Sequence, residues 1–347
     1  MRTVVFGAGS LGTAVGAALA ASGRDVVLVA RPERVAALRA QGGARVVTET
    51  GTRVVPVAAV ASLAELRALD PEDRVLLTMK NHQLRDGLEE LLARSGPDVR
   101  VFSFLNGVHS ERRAALRFRT VYGVVARFAC WSERAGEVTY RRPGSFVVGR
   151  HPDGLDARTE LLVGDLREAG FEVGLSPRIS EDKWLKLLVN LMNPPEALLL
   201  REPGCERRLH RLEALLILEG HAVLQAAGIT AAPTGGIGRP PEEMARLVRS
   251  GRWGAPLAAP EFRARNSTWQ SLRRGARLED RWWTGEIVRL GEQLRLPTPL
   301  NRTMLRLLRR AARRGLGPEC YTVRQLLRQA RRGMERGTGQ GPTMAAP

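Results

Sequence analysis

The chain has 347 residues, 44% hydrophobic and 26% charged, with a formal net charge of +18. That length suits two domains of ordinary size, and that balance is globular, which excludes a disordered or fibrous chain. Three scattered cysteines (Cys130, Cys205, Cys320) without C-x-x-C spacing, five histidines without an HExxH cluster, and no apolar run near the ~18 residues that span a bilayer argue against a disulfide framework, a metal site and a membrane span, and point to a reducing cytoplasm.

Residues 3–6 form a short β-rich run that enters Gly7-Ala8-Gly9-Ser10-Leu11-Gly12. A stretch rich in Ala and Leu, 13–22, reads as helix, and Gly23-Arg24 turns into a second apolar run, 25–30. Strand, glycine turn, helix and strand in that order predict the opening of a dinucleotide-binding fold. The run from Met1 to Gly23 could pass for a secretory signal, but Gly7, Gly9, Ser10 and Gly12 break it. Helices are predicted at 32–41 and 83–95, with strands at 74–78 and 99–104. Such alternation predicts a mostly parallel sheet covered on both faces. Between Val121 and Gly149 the β-rich stretches 121–126, 137–141 and 145–148 are expected to close the first domain. Residues 157–169 read as helix and 171–175 as one more strand.

After Pro177 helical periodicity dominates, at 181–193, 209–227, 241–249, 281–293, 301–314 and 323–332. The expected fold is therefore α/β: an N-terminal Rossmann-type dinucleotide-binding domain, 1–176, then an all-α domain, 177–332. The Gly-, Pro- and Thr-rich end, 333–347, is expected to be a disordered tail. From Arg302 to Arg336 eleven Arg face only Glu319 and Glu335, so half the net charge sits in the last tenth of the chain. A solvated Arg-rich helix face is favoured over a nucleic-acid patch, because aromatics for base stacking are few and no nucleic-acid motif is present.

In the glycine turn, Gly7 permits the tight bend, Gly9 lets the backbone approach a pyrophosphate, and Gly12 allows close helix–strand packing. Ala8, Ser10 and Leu11 belong to the same cofactor-binding turn, and the helix N-terminus that follows faces the phosphates with its free N–H groups. The second strand ends Val29-Ala30-Arg31-Pro32, without the Asp or Glu that binds ribose hydroxyls of NAD. Arg31 suits a 2′-phosphate by charge and bidentate geometry, so the expected cofactor is NADP.

Of 54 basic residues only Lys80, Lys183 and Lys186 are lysine. Arg replaces Lys on a solvated surface but hardly gives up a proton, so a surviving Lys is a candidate for chemistry. With a helix over 181–193, Lys186, Asn190 and Asn193 fall at i, i+4 and i+7 on one stripe among leucines.

With these segments in view, the sequence resembles the ketopantoate reductase family (2-dehydropantoate 2-reductases) from Val4 to about Arg310. The resemblance runs through Gly7-Ala8-Gly9-Ser10-Leu11-Gly12, Thr78-Met79-Lys80, Leu105-Asn106-Gly107, Trp184-x-Lys186-x-x-x-Asn190 with Asn193-Pro194, and Ser267-Thr268-Trp269-Gln270 leading to Leu278-Glu279. Gly285-Glu286-Ile287-Val288 and Pro297-Thr298-Pro299-Leu300-Asn301 follow in the family's order. It implies NADPH-dependent reduction of ketopantoate to pantoate, on the route to pantothenate. It also implies Lys186 as general acid and Glu279 as its acidic partner. Asn106, Asn190, Asn193 and Ser267 would hold the substrate, with Lys80 and Asn106 at the cofactor–substrate junction. Lys183 matches no family role and reads as a survivor of the bias. The Asn190-to-Asn193 gap is one residue shorter than the family pattern, and Ser271 stands where an acidic residue is common.

The residue types suit the chemistry independently. Hydride addition to a ketone leaves negative charge on oxygen, which an ammonium stabilises and then protonates. Two alternatives stay open: reduction of another small 2-oxo acid on the same fold, and a non-catalytic NADP-binding protein with a basic C-terminal segment for polyanions. A homodimer is also left open.

Overall fold

The structure, a computed structural model, describes residues 1–140, 144–253 and 266–338. Two compact units part within one helix, between Lys186 and Leu187. The first takes residues 1–186 and 233–238; the second takes 187–232, 239–253 and 266–338 among the described residues.

The first unit alternates strands and helices as expected. In chain order they are β1 (Thr3–Phe6), α1 (Ser10–Ala21), β2 (Val26–Val29), α2 (Pro32–Ala40), β3 (Ala44–Thr48), β4 (Gly51–Val55), β5 (Ala58–Val60), β6 (Arg74–Leu77), α3 (Leu84–Ser95), β7 (Arg100–Ser103), α4 (Ser110–Ala115), β8 (Val121–Arg127), β9 (Cys130–Trp131), β10 (Glu137–Tyr140), β11 (Ser145–Arg150), α5 (Ala157–Glu168) and β12 (Glu172–Leu175). Eight strands form one sheet in the order β12-β11-β8-β7-β6-β1-β2-β5. Only the β8–β11 pair is antiparallel.

Burial of both faces of the sheet explains why its central strands are mostly apolar. Val5, Leu28, Leu76 and Phe102 enter one core, while Val4, Val27, Val75, Leu77 and Val101 enter the other, on the opposite face. Phe102 stacks on Tyr122 with ring centroids 4.2 Å apart.

A second sheet, β4-β3-β10-β9, was not anticipated from the sequence. It takes the expected 137–141 strand out of the main sheet, pairing Glu137, Val138 and Thr139 with Arg45, Val46 and Val47. Arg141, the last residue expected in that strand, lies outside the described residues.

The second unit is helical: the end of α6 (Ile179–Asn190), then α7 (Asn193–Leu198), α8 (Glu206–Ala226), α9 (Pro241–Arg249), α10 (Ser267–Arg273), α11 (Thr284–Leu294), α12 (Pro299–Arg313) and α13 (Val323–Thr338). Its core gathers around α8. Gly220 lies so close to α6 that an added Cβ would stand 3.0 Å from Leu188 Cδ2, and 2.5 Å from Leu191 Cδ1 just past its end. The Glu219 carboxylate accepts the backbone N–H groups of Leu300 and Asn301 at 2.9 and 2.8 Å, capping α12 from outside.

Three features differ from expectation. The compact units part after Lys186, within α6, whereas the expected boundary lies at Ser176-Pro177. The reason is packing: Ile179 joins the apolar cluster of Val125 and Val147, and Asp182 accepts Ser176 Oγ at 2.7 Å, so the first half of α6 belongs to the sheet. The tail expected from Gly333 is instead helical through Thr338, and 339–347 lie outside the described residues. The helix expected over 181–193 ends at Asn190, and Asn193 opens a new one. Pro194 and Pro195 carry no N–H, so the carbonyls of Asn190 and Leu191 have no helical donors and the helix cannot continue.

Candidate active site

The glycine turn follows β1 and opens α1, as expected. Gly7 has φ +90, and a Cβ there would stand 2.5 Å from Met79 Cβ and 2.7 Å from its backbone. A Cβ on Gly12 would meet Thr78 Oγ1 at 2.4 Å. Thr78 Oγ1 also donates toward Phe6 O and Gly7 O, each at 3.2 Å. The Thr78-Met79 pair thus fixes the glycine turn by direct contact.

Gly9 differs: the nearest atom to an added Cβ is Gly7 O at 3.9 Å. Among the described residues nothing requires glycine there, so that open side fits a closely approaching external group. Behind it, the first-turn N–H groups of α1, Ser10, Leu11 and Gly12 among them, have no intrahelical acceptor. Ala8 is buried at 3% exposure and donates its N–H to Val29 O at 2.9 Å. The residues present therefore fit a dinucleotide pyrophosphate.

Arg31 stands just before α2, two residues past β2, with a side chain 80% exposed and 3.6 Å from Glu33. It is free of the core and stands where the second strand ends. Lys80 is partly buried at the end of the loop after β6. Burial pushes the Cys130 thiol up to about 12, with the Lys80 charge acting the opposite way. Asn106 is partly buried in the turn after β7, and its carbonyl accepts Asn81 Nδ2 at 2.9 Å.

Lys183 is not an incidental survivor. It is 5% exposed, donates from Nζ to Leu105 O at 2.6 Å, and lies 2.7 Å from Glu111 Oε1. Lys186 follows one helical step later and is partly buried, while Asn190 is 4% exposed. Lys186 and Asn190 share α6 one turn apart, as the sequence spacing implied.

In the second unit Asn193 opens α7, after the two-residue turn that ends α6. Ser267 opens α10. The two are connected through Asn266, which the sequence reading passed over: its Nδ2 donates to Asn193 O at 3.1 Å and to Glu196 Oε2 at 2.8 Å, while its Oδ1 accepts Trp269 N–H at 2.9 Å. A Ser-Thr pair right after an Asn was the available signal for a capped helix. Ser271 turns inward and donates to Ser267 O at 2.9 Å. Glu279 is 6% exposed, at the start of a short 3₁₀ turn. Among the described residues no group of three or more His, Cys, Asp or Glu could hold a metal, and no helix is long and apolar enough to cross a membrane.

Comparison with known proteins agrees with this layout. The family described as ketopantoate reductase PanE/ApbA matches residues 3–153, and its C-terminal counterpart matches 178–312. A 2-dehydropantoate 2-reductase of Archaeoglobus fulgidus is 29% identical over 317 residues, covering 89% of this chain and 97% of that protein. Another, of Mesorhizobium japonicum, is 26% identical over 350 residues, covering 93% and 100%. Among solved structures, a PanE/ApbA family ketopantoate reductase from Ralstonia eutropha superposes with TM-score 0.73 at 25% identity, over 91% of this chain and 100% of that one. D-mandelate dehydrogenase with NADH and anilino(oxo)acetate superposes with TM-score 0.76 at 20% identity and the same coverages, a likeness of fold.

Proposed function

The chain belongs to the ketopantoate reductase family of oxidoreductases, and from that premise we propose that it reduces 2-dehydropantoate to pantoate with NADPH. The observation that carries this reading is Lys186, one of three lysines in the chain, on α6 one turn from buried Asn190.

The nicotinamide cofactor supplies the hydride when bound. Lys186 then meets the charge that grows on the 2-oxo oxygen and delivers its proton to that atom. Glu279 is the carboxylate that favours the charged amine. A carboxylate near an ammonium stabilises its protonated form, which is the form that can donate. Asn106, Asn190, Asn193 and Ser267 hold the carboxylate and hydroxyl of the substrate, offering both donors and acceptors. Gly7, Ala8, Gly9, Ser10, Leu11 and Gly12 form the pyrophosphate turn, and Lys80 stands at the nicotinamide end. Arg31 selects NADPH through its 2′-phosphate.

A second reading, reduction of another small 2-oxo acid, is favoured by the break between α6 and α7. Asn193 begins a separate helix from the one that carries Lys186 and Asn190, so the substrate contacts need not be those of ketopantoate. The reading as a polyanion-binding protein is disfavoured, because three arginines of α12 already have partners. Arg302 pairs with Glu292, Arg309 with Asp280, and Arg306 with Gln329.

The test is oxidation of NADPH, with NADH alongside, by the purified protein across a panel of 2-oxo acids. Highest kcat/KM for ketopantoate with NADPH supports the first reading. Preference for a different 2-oxo acid selects the second, and no turnover on any member of the panel removes both.

A further inference from the structure

Two consecutive backbone carbonyls around Asn106 are held by side chains. Leu105 O accepts Lys183 Nζ at 2.6 Å, and Asn106 O accepts Asn81 Nδ2 at 2.9 Å. Each peptide unit is a rigid plane. The two planes flanking a residue fix the direction in which its side chain leaves the backbone. For Asn106, one plane is held by Lys183 and the other by Asn81.

We propose that Lys183 is a positioning residue: its buried ammonium, set by Glu111, fixes the Leu105–Asn106 peptide and so holds Asn106 in register with Lys186. This rests on the reading of Asn106 and Lys186 as active-site residues. Lys183 and Lys186 stand three residues apart on α6, neighbouring positions of one helix. The amine that holds the turn and the amine that gives the proton therefore move together.

The surroundings of Lys183 explain why this position is not arginine. Its Nζ faces Leu105 O at 2.6 Å, Glu111 Oε1 at 2.7 Å and Val124 O at 3.5 Å. An ammonium offers three donors from one point, whereas guanidinium is a broad planar fork. Glu111 is itself anchored. Its Oε2 accepts Ser110 Oγ at 3.0 Å, and Ser110 Oγ accepts Ser103 Oγ, on β7, at 2.9 Å.

A buried ion pair is weak support for stability, since an apolar or neutral replacement of both partners is often tolerated. Stability alone does not account for a paired Lys and Glu that are 5% and 4% exposed. Position does, because a displacement of about 1 Å at a reacting centre can cost about 10²-fold in rate.

The test removes the pair without stranding a charge, using Lys183→Met/Glu111→Gln and, as an apolar version, Lys183→Met/Glu111→Leu. Melting, steady-state kinetics and amide exchange over residues 104–109 are measured on both. The expected outcome is a folded protein in which kcat falls roughly 30- to 100-fold while KM for NADPH stays within about threefold. Exchange at the Asn106 and Gly107 amides is expected to speed up. A folded double variant with kcat within about threefold of wild type and unchanged exchange overturns the proposal. Loss of folding in both double variants also overturns it, since the pair is then structural. If the wild type turns over no 2-oxo acid, the functional reading fails by itself, and the exchange comparison still decides whether Lys183 holds the turn.

Discussion

Asn266 reaches the backbone carbonyl of Asn193 at 3.1 Å, so the residue that caps α10 also holds the first residue of α7. Asn266→Ala removes both the cap and the link. A lost cap costs about 1 kcal/mol, which lowers Tm by roughly 1–2 °C in a chain of this length. KM for the 2-oxo acid is expected to rise by about tenfold, because Asn193 and Ser267 lose their common support. Asn266→Asp separates the two effects: the acceptor for Trp269 stays, but the Nδ2 donors go and a carboxylate faces Glu196. Calorimetry with kinetics on both variants checks this, and an unchanged KM in both removes the link from the site.

The glycines of the turn should separate by experiment. Gly7→Ala must adopt φ +90 and press on the Met79 backbone at 2.7 Å, so a loss of about 2–5 kcal/mol is expected. Gly9→Ala has open space for its methyl, so Tm should stay within about 2 °C while Kd for NADPH rises at least about tenfold. Equal affinity of wild type and Gly9→Ala by titration calorimetry would contradict the placement of the pyrophosphate there.

For Arg31 the expected signature is a change of preference. Its exposed pair with Glu33 is worth little, so replacing it leaves stability unaltered. Arg31→Asp should cost NADPH about 1.5–3 kcal/mol, roughly 10- to 100-fold in KM, and leave NADH unharmed. Parallel loss with both cofactors would show that Arg31 does not read the 2′-phosphate.

Lys186→Arg keeps the charge while withholding the proton. The fold and NADPH affinity should persist, and kcat should fall by about 10²–10⁴-fold. Near-normal kcat would take the acid role away from Lys186.

Burial, with Glu196 nearby, pushes the Glu213 carboxyl well above the usual range. A carboxyl raised in the folded state favours folding below its unfolded value, about 4.3, and that contribution is lost as pH rises through the folded value. At neutral and alkaline pH Glu213 therefore costs stability. Glu213→Gln resembles the protonated acid, so it should raise Tm clearly near about pH 8 and little near about pH 5. An equal shift at both pH values would show that Glu213 does not titrate in this way.

Local pattern disclosed β1, the glycine turn, α1 and most later helices, because each carries its own periodicity or punctuation. The second sheet was hidden because β4 has four exposed residues before Val55 and β3 has Arg45 outward, so neither reads as a buried strand. The end of α6 was hidden for the opposite reason: Leu187, Leu188 and Leu191 are all fully buried, and apolar periodicity runs straight across the break. Pro194-Pro195 was the readable sign, since two residues without N–H end one helix and suit the start of another. Lys183 was missed because its partners, Glu111 and the Leu105 carbonyl, are distant in sequence and only folding brings them to it.

The enclosure of Lys183 also makes it a clock. Amine-selective acylation has three side-chain targets in this chain, and two of them, Lys80 and Lys186, are partly open. The third can react only while its surroundings part, so its slow labelling rate reports how often that portion of the molecule breathes. Mass spectrometry of a single modified residue would then follow, without any engineered probe, whether a bound dinucleotide quiets the motion.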